Sequence, residues 1–354
     1  MKLQDLGFNE ELEKYIKEHQ LNEFEIGRMI AEHRDRYVVK CASGEYEAEI
    51  TGIMRFTAKN REDFPAVGDW VALQTYEHNF GIIHHVLPRF SVIKRQAVGQ
   101  FGEVQIIGTN IDYGFLVQTV ERDFNINRLE RYLTLCYASK VKPIIVLSKT
   151  DLIDAARLEE IIDEIKTRIE DVPIVAISNE TLQGYLALKS IIEKGKTYCL
   201  LGSSGVGKST LLNNLCGNAL MKTGEISSST NKGKHVTSHR ELMVLEDGGI
   251  LIDNPGMREV GIADAGAGLE TTFDKILDLA KQCKFKDCSH TTEVGCSVIE
   301  GLEKGIIDKS SYQNFLKMER ENERFEMSVA EKRKREKVFG KLMKNYKKDV
   351  NRKQ

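Results

Sequence analysis

A chain of 354 residues, 41% hydrophobic and 29% charged, has apolar material for two or three cores, while its apolar runs are too short for a bilayer span and its start too charged for a signal peptide. The net charge of −2 conceals a basic end: residues 331–354 hold eleven Lys or Arg against three Asp or Glu, a balance of +8 that leaves −10 for the rest. Cys41, Cys136, Cys199 and Cys216 are scattered while three more lie between 283 and 296, which makes a poor disulfide framework and leaves a soluble, cytoplasmic chain with one local metal site as the expectation.

In chain order, residues 3–22 read as an amphipathic helix with Leu3, Leu6, Leu12, Ile16 and Leu21 on its buried side. From Arg28 to about Arg95 come short β-prone runs, MIAEH, RYVVKC, EYEAEITGIM, DWVALQTY and FGIIHHVL, separated by turn residues. They predict a small antiparallel barrel or sheet. From about 104, VQIIGT and YGFLVQT lead into a helix at NINRLERYLTLCYASK, followed by PIIVLS, a helix at 154–170, PIVAIS, a helix to about 194 and KTYCLLG. Such alternation predicts a mainly parallel sheet covered by helices. Residues 223–240 are polar and rich in Gly, Ser and Thr, the texture of a long mobile loop; 269–282 reads as helix, and the charged end as a helical tail.

The stretch GSSGVGKST, comprising Gly202, Ser203, Ser204, Gly205, Val206, Gly207, Lys208, Ser209 and Thr210, satisfies G-x4-G-K-[ST] between an apolar strand and a helix start. Its amides would face phosphate oxygens, Lys208 would reach the β- and γ-phosphates, and Ser209 would sit on magnesium. In ILIDNPG, Asp253 ends an apolar run where it can hold that magnesium, and the Gly256 amide is placed to sense the γ-phosphate. Upstream, PIIVLSKTDL contains Ser148, Lys149, Thr150 and Asp151; Asp151 can accept from guanine N1–H and N2–H2, a pair adenine does not offer, and Lys149 can lie along the base. The plain alternative is a surface Lys/Asp turn. Ser178, ending PIVAIS, marks a second loop able to close over guanine O6.

Cys283, Cys288, His290 and Cys296 are spaced C-x4-C-x-H-x5-C, a soft donor set that suits a closed tetrahedral structural zinc site; the alternative is reduced cysteines without metal. The basic end reads as an RNA-phosphate contact or, alternatively, as a solvated helix or disordered tail.

Taken together these motifs resemble the circularly permuted GTPases of small ribosomal subunit biogenesis, the RsgA type. Ordinary GTPases place the phosphate loop, switch threonine and D-x-x-G before N-K-x-D and S-A; here the base-reading elements come first. The resemblance runs through VGDWVAL at 67–73, LPRFSVIKRQAVG at 87–99, residues 110–133 and GKHVTS at 233–238. It implies an N-terminal extension over 1–25, an OB-like β-barrel over 26–98, a permuted P-loop GTPase α/β domain over 99–268, and a zinc-binding, mainly helical domain with a basic tail over 269–354. It also implies GTP as substrate and GDP as product, magnesium, one structural zinc, and the 30S subunit with its 16S rRNA as partner of a monomeric, membrane-free protein. His235 matches the family's hydrolytic histidine, Thr237 its magnesium threonine, and Met257 its apolar residue after D-x-x-G. Two departures touch the base pocket. Ser148 stands in place of Asn and Asn179 in place of a small Ala, which implies a weaker or less rigid hold on guanine. The competing functions are a nucleotide-gated RNA-binding module with incidental hydrolysis and a nucleotide kinase, the latter lacking any recognisable acceptor site.

Overall fold

The computed structural model describes residues 1–33, 36–96, 104–121, 124–217, 241–253 and 266–351. Strands β1 (Glu25–His33), β2 (Arg36–Cys41), β3 (Glu45–Ile50), β4 (Trp70–Tyr76) and β5 (Phe80–Val86) close into a barrel in the order β1-β2-β3-β5-β4-β1. Only β3 and β5 pair in parallel. Closure removes the sheet's edges, and alternating residues such as Tyr37, Val39 and Cys41 turn inward to meet Met29, Val71, Leu73 and Ile83. The expected strand run EYEAEITGIM stops at Ile50, because the Thr51 hydroxyl accepts from Met54 N and starts helix α1 of the barrel insertion at Gly52–Thr57 in its place.

The predicted helix over 3–22 is divided. Leu3–Leu6 forms a single 3-10 turn ended by Gly7 at φ +86°, and the chain restarts under an Asn9 cap as a helix over Glu10–Glu18. Leu6, Leu12, Ile16 and Leu21 are buried as expected, against Trp70 and Leu87.

Strands β6 (Val92–Gln96) and β7 (Val104–Thr109) form a separate antiparallel ribbon. VQIIGT therefore does not open the parallel sheet; it folds back on the strand leaving the barrel. The sheet proper consists of β8 (Tyr113–Thr119), β9 (Lys142–Ser148), β10 (Ile174–Ala176), β11 (Thr197–Leu201), β12 (Glu241–Val244) and β13 (Ile250–Asp253), in the order β10-β9-β8-β11-β13-β12. All neighbours run parallel except β12, and the central strands are buried on both faces, with one apolar cluster against each face. Helices α2 (Ile126–Ala138), α3 (Ala155–Arg168), α4 (Tyr185–Ser190) and α5 (Lys208–Cys216) connect the strands; the third of these is shorter than the expected run to about 194.

Barrel and sheet meet at one strand pair, Ala31 of β1 with Glu241 of β12, and around Arg28. Arg28 is 1% exposed and donates to the carbonyls of Leu6 (2.5 Å), Gly68 (3.2 Å) and Asn110 (3.0 Å), its guanidinium 5.6 Å from the Trp70 ring centre. Burial lowers its pKa to about 10. Nearby, Asp69 and Arg89, from the two segments VGDWVAL and LPRF, form a buried two-point pair at 2.6 and 2.8 Å.

The C-terminal part is helical: α6 (Gly266–Thr272), α7 (Asp274–Ala280), α8 (Ser297–Glu303) and α9 (Lys309–Asn351). The predicted helix over 269–282 breaks at Phe273, whose ring is buried edge-on against Phe315. This part is fastened to α2. Arg131 pairs with Glu321 at 2.6 and 2.8 Å, and Glu130, 2% exposed, accepts from Arg168, Ser311 and Asn314. Among the described residues no helix is long and apolar enough to cross a membrane.

Candidate nucleotide site and metal centre

The parallel strands deliver their C-terminal ends to one edge of the sheet, and the site is assembled there. Strand β11 ends at Leu201. At Gly202 the backbone passes so close to β8 that an added Cβ would lie 2.4 Å from Val117 O, so only glycine begins this turn. Ser204 and Gly205 are exposed, Val206 anchors the loop in the core, and α5 starts at Lys208 with Ser209 and Thr210 exposed in its first turn. A helix N-terminus approached by a glycine-rich loop presents backbone N–H groups and a positive dipole end to an anion.

The Lys208 ammonium donates to Gly202 O (2.6 Å) and Ser203 O (2.5 Å), which folds its side chain back over the loop and leaves a third N–H. Burial lowers its pKa to about 8, with Asp253 pulling the other way. Asp253 ends β13, next to β11 in the sheet. Burial raises the pKa of Tyr132 on α2, and the nearby Ser203 side chain works against that rise.

The segments expected to read the base follow β9 and β10. Lys149 takes a left-handed conformation at φ +60°, turning the chain into a 3-10 turn over Thr150–Leu152 that exposes Asp151. Its ammonium lies 3.0 Å from Glu121 Oε2. Thr150 N donates to Ile177 O at 3.2 Å, joining the two base-side loops. The Ser178 hydroxyl accepts from Glu180 N (3.2 Å) and Thr181 N (3.0 Å) and so shapes the second loop from within. Ser148, fully buried, donates to Val206 O at 2.7 Å, 58 residues away in sequence. The short hydroxyl thus reaches the phosphate loop. Asn179 does the same, through Nδ2 to Gly207 O at 3.1 Å. Its amide oxygen is held by Tyr185, which Asn214 holds in turn, two residues for which the sequence offered no signal beyond their polarity. His235, Thr237 and Gly256 lie outside the described residues, as do Met257 and the polar loop at 223–240.

The four candidate metal ligands converge, their donor atoms all within 4.8 Å of one another. Cys283 Sγ lies 3.8 Å from Cys296 Sγ and 3.6 Å from His290 Nδ1, and Cys296 Sγ lies 3.5 Å from the same nitrogen. A tetrahedron with Zn–S of about 2.3 Å and Zn–N of about 2.0 Å has S···S edges of roughly 3.8 Å and S···N edges of roughly 3.5 Å. Cys283, Cys296 and His290 therefore stand at the separations zinc requires, and Cys288, within 4.8 Å of them, supplies the fourth donor of a tetrahedral set. The turn around His290 is fixed by Glu293, whose carboxylate accepts from the Ser289 hydroxyl and from the amides of Ser289, Thr291 and Thr292. Those bonds, the Ser289 hydroxyl foremost, hold its pKa far below the usual carboxylate range. Tyr312 of α9 donates to His290 O, locking the metal turn to the long helix.

Strand β11, which leads into the G-x4-G-K-S loop, lies between β8 and β13 in space, yet strands β9 and β10, which carry the expected base-reading segments, precede it in the chain. A phosphate loop served from upstream in this way defines the fold and site of a circularly permuted P-loop GTPase. The sequence profile of the RsgA GTPase family matches residues 86–263. Small ribosomal subunit biogenesis GTPase RsgA 1 of Bacteroides thetaiotaomicron is 38% identical over 343 residues, covering 97% of this chain and 96% of that protein. The protein of the same name from Listeria innocua is 43% identical over 295 residues, 83% of each. Among solved structures, YjeQ from Thermotoga maritima aligns with a TM-score of 0.61 and 27% identity over 83% of this chain and 96% of that one. YloQ, a circularly permuted GTPase, shares the fold at a TM-score of 0.60, 24% identical over 89% of this chain and 98% of that one. The chain belongs to the RsgA GTPase family, whose members are GTP hydrolases.

Proposed function

We propose that this protein hydrolyses GTP while bound to the small ribosomal subunit late in that particle's maturation, and leaves it with GDP. The observation that carries the reading is the permuted site, with base-side loops and phosphate loop joined on one sheet edge, in a chain whose relatives are named small ribosomal subunit biogenesis GTPases.

In this reading Asp151 accepts two hydrogen bonds from guanine, Lys149 lies along the base with Thr150 shaping the turn, and the loop after Ser178 closes over O6. Residues 202–210 wrap the phosphates, with Lys208 at the β- and γ-oxygens. Ser209, Asp253 and Thr237 would hold magnesium, which when bound neutralises charge developing on the β- and γ-phosphate oxygens. His235 orients the attacking water in line with the γ-phosphate, whose bond to the β-phosphate oxygen breaks, and the Gly256 amide senses whether that group is present. Cys283, Cys288, His290 and Cys296 would hold the structural zinc. Permutation makes residues 254–265 the direct link from Asp253 to α6, so a change at the γ-phosphate is passed to the helices packed on α2. The barrel, the zinc module and the basic end of α9 supply the 16S rRNA contacts of a cytoplasmic protein that is monomeric off the ribosome. Release of γ-phosphate measured with and without 30S subunits tests this: strong acceleration by subunits is expected, and equal rates would overturn it.

A further inference from the structure

Two consecutive carbonyls of the phosphate loop are held from the base side. Val206 O accepts from Ser148 Oγ at 2.7 Å. Gly207 O, already closing the first turn of α5 through Leu211 N at 2.8 Å, accepts a second bond from Asn179 Nδ2 at 3.1 Å. In a trans peptide the C=O and the following N–H point to opposite sides. No peptide bond among the described residues is cis, so carbonyls drawn toward residues 148 and 179 send the Gly207 and Lys208 N–H groups the other way.

The orientation of the Asn179 amide is itself determined. Tyr185 O–H donates to Asn179 Oδ1 at 2.6 Å, and Asn214 Nδ2 donates to the Tyr185 oxygen at 3.0 Å and to Asn179 O at 3.1 Å. A carbonyl oxygen only accepts, so the amide end facing Gly207 is nitrogen, and the end facing Tyr185 is the oxygen that takes the phenol's one proton. Tyr185 is buried, which raises its pKa and keeps that proton in place. Asn214 lies on α5, so the chain of donors returns to the helix whose first turn it steadies. Residue 207 has no room for a side chain here, since a Cβ would sit 2.5 Å from Asn179 Nδ2.

We propose that Asn179 is a positioning residue of the nucleotide site: with Ser148 it aims the Gly207 and Lys208 amides at the β-phosphate and ties the base-side loop to the phosphate loop. The amide missing at 148 is thus returned from the other guanine loop, at the place where the family pattern has a small Ala. Asn179 strengthens phosphate binding and leaves base choice to Asp151. The inference rests on the nucleotide site proposed above.

The test is competition against labelled GDP by GDP, GMP and ADP, for wild type, Asn179→Ala, Asn179→Asp and Tyr185→Phe, with thermal unfolding of each. Asn179→Ala is expected to weaken GDP roughly three- to tenfold, the effect of one lost hydrogen bond. GMP, which lacks the β-phosphate, should stay within about twofold, and the GDP-to-ADP ratio should be unchanged, because both diphosphates share the loss. Asn179→Asp keeps the Tyr185 bond but sets a carboxylate oxygen against Gly207 O, and should weaken GDP more than Ala does; Tyr185→Phe should weaken it less. A folded Asn179→Ala protein that binds GDP as wild type does, or that loses GMP and GDP equally, overturns the proposal. Wild type without preference for GDP over ADP would instead overturn the guanine reading, while a diphosphate-specific loss in Asn179→Ala would still support the amide clamp.

Discussion

Replacing Glu130 by Ala should loosen the C-terminal helices from the nucleotide domain. Glu130 is 2% exposed, and its carboxylate accepts from Arg168 at 2.7 Å, Ser311 at 2.8 Å and Asn314 at 2.6 Å. Arg168 is itself 10% exposed; without Glu130 it keeps the Asn127 amide oxygen at 2.6 Å and Asp308 at 3.5 Å, the latter half in solvent. Removing one partner of a buried pair costs about 3–5 kcal/mol because the other charge stays desolvated. The retained Asp308 contact places the loss at the lower end, about 3 kcal/mol. Glu130→Gln keeps the volume and one acceptor oxygen and should cost about 1.5–3 kcal/mol, the range for a bond to a charged group. A chain of several domains has no single unfolding transition, so hydrogen exchange of residues 309–325 is the appropriate assay. A double-mutant cycle with Arg168→Ala should give a coupling of about 2 kcal/mol or more. Additive effects, or unchanged exchange in Glu130→Ala, would show that α9 is held by its other contacts, the Arg131–Glu321 pair among them.

The metal centre should contain one zinc per chain, and Cys288→Ala or a strong chelator should release it and raise hydrogen exchange across 283–298; a folded, metal-free wild type that takes up no added zinc would refute the assignment. Asp151→Ala should reduce the preference for GDP over ADP by about 1.5–3 kcal/mol, whereas Ser148→Ala should lower affinity for both by about 0.5–1.5 kcal/mol with the preference intact, as competition titrations will show. His235→Ala should slow subunit-stimulated turnover by about 100-fold or more while retaining GTP binding, and unchanged stimulation in a stopped-flow phosphate assay would remove His235 from the chemistry.

What was legible in the sequence was local. The phosphate loop and the Cys/His cluster are contiguous motifs whose chemistry depends on spacing alone, and the donor atoms of the cluster do converge. The barrel strands announced themselves by alternation and turn residues, although alternation did not reveal where EYEAEITGIM turns helical under the Thr51 cap. Periodicity carried the helix of 3–22 straight through Gly7 and Asn9, which divide it; the apolar positions were right because both pieces face the same core. VQIIGT has the composition of a sheet strand, and only its antiparallel pairing with β6, a tertiary fact, removes it from the parallel sheet. The Glu130 cluster joins groups some 40 and 180 residues apart and leaves no pattern in a linear reading. Asn179 is the sharpest instance. As a residue type it departs from the family pattern and reads as a loss, yet its amide is the contact that reaches Gly207.

The position of Arg28 bears on how the protein is made. Its three carbonyl partners lie 22, 40 and 82 residues away, in the leading turn, the barrel and the strand connection beyond it. A chain synthesised from its N-terminus completes the five barrel strands at Val86, when Asn110 has not yet been added. At that stage the guanidinium has two of its acceptors, and the Gly68 carbonyl lacks the bond it will receive from the Asn110 amide. A cation short of partners keeps its water, so the face of the barrel beside Trp70, where the leading helix packs, stays wet until the next domain begins to form. The barrel is therefore finished by its successor, and a fragment cut between them preserves the strands without the dry, fully bonded junction that holds the first third of the protein in place.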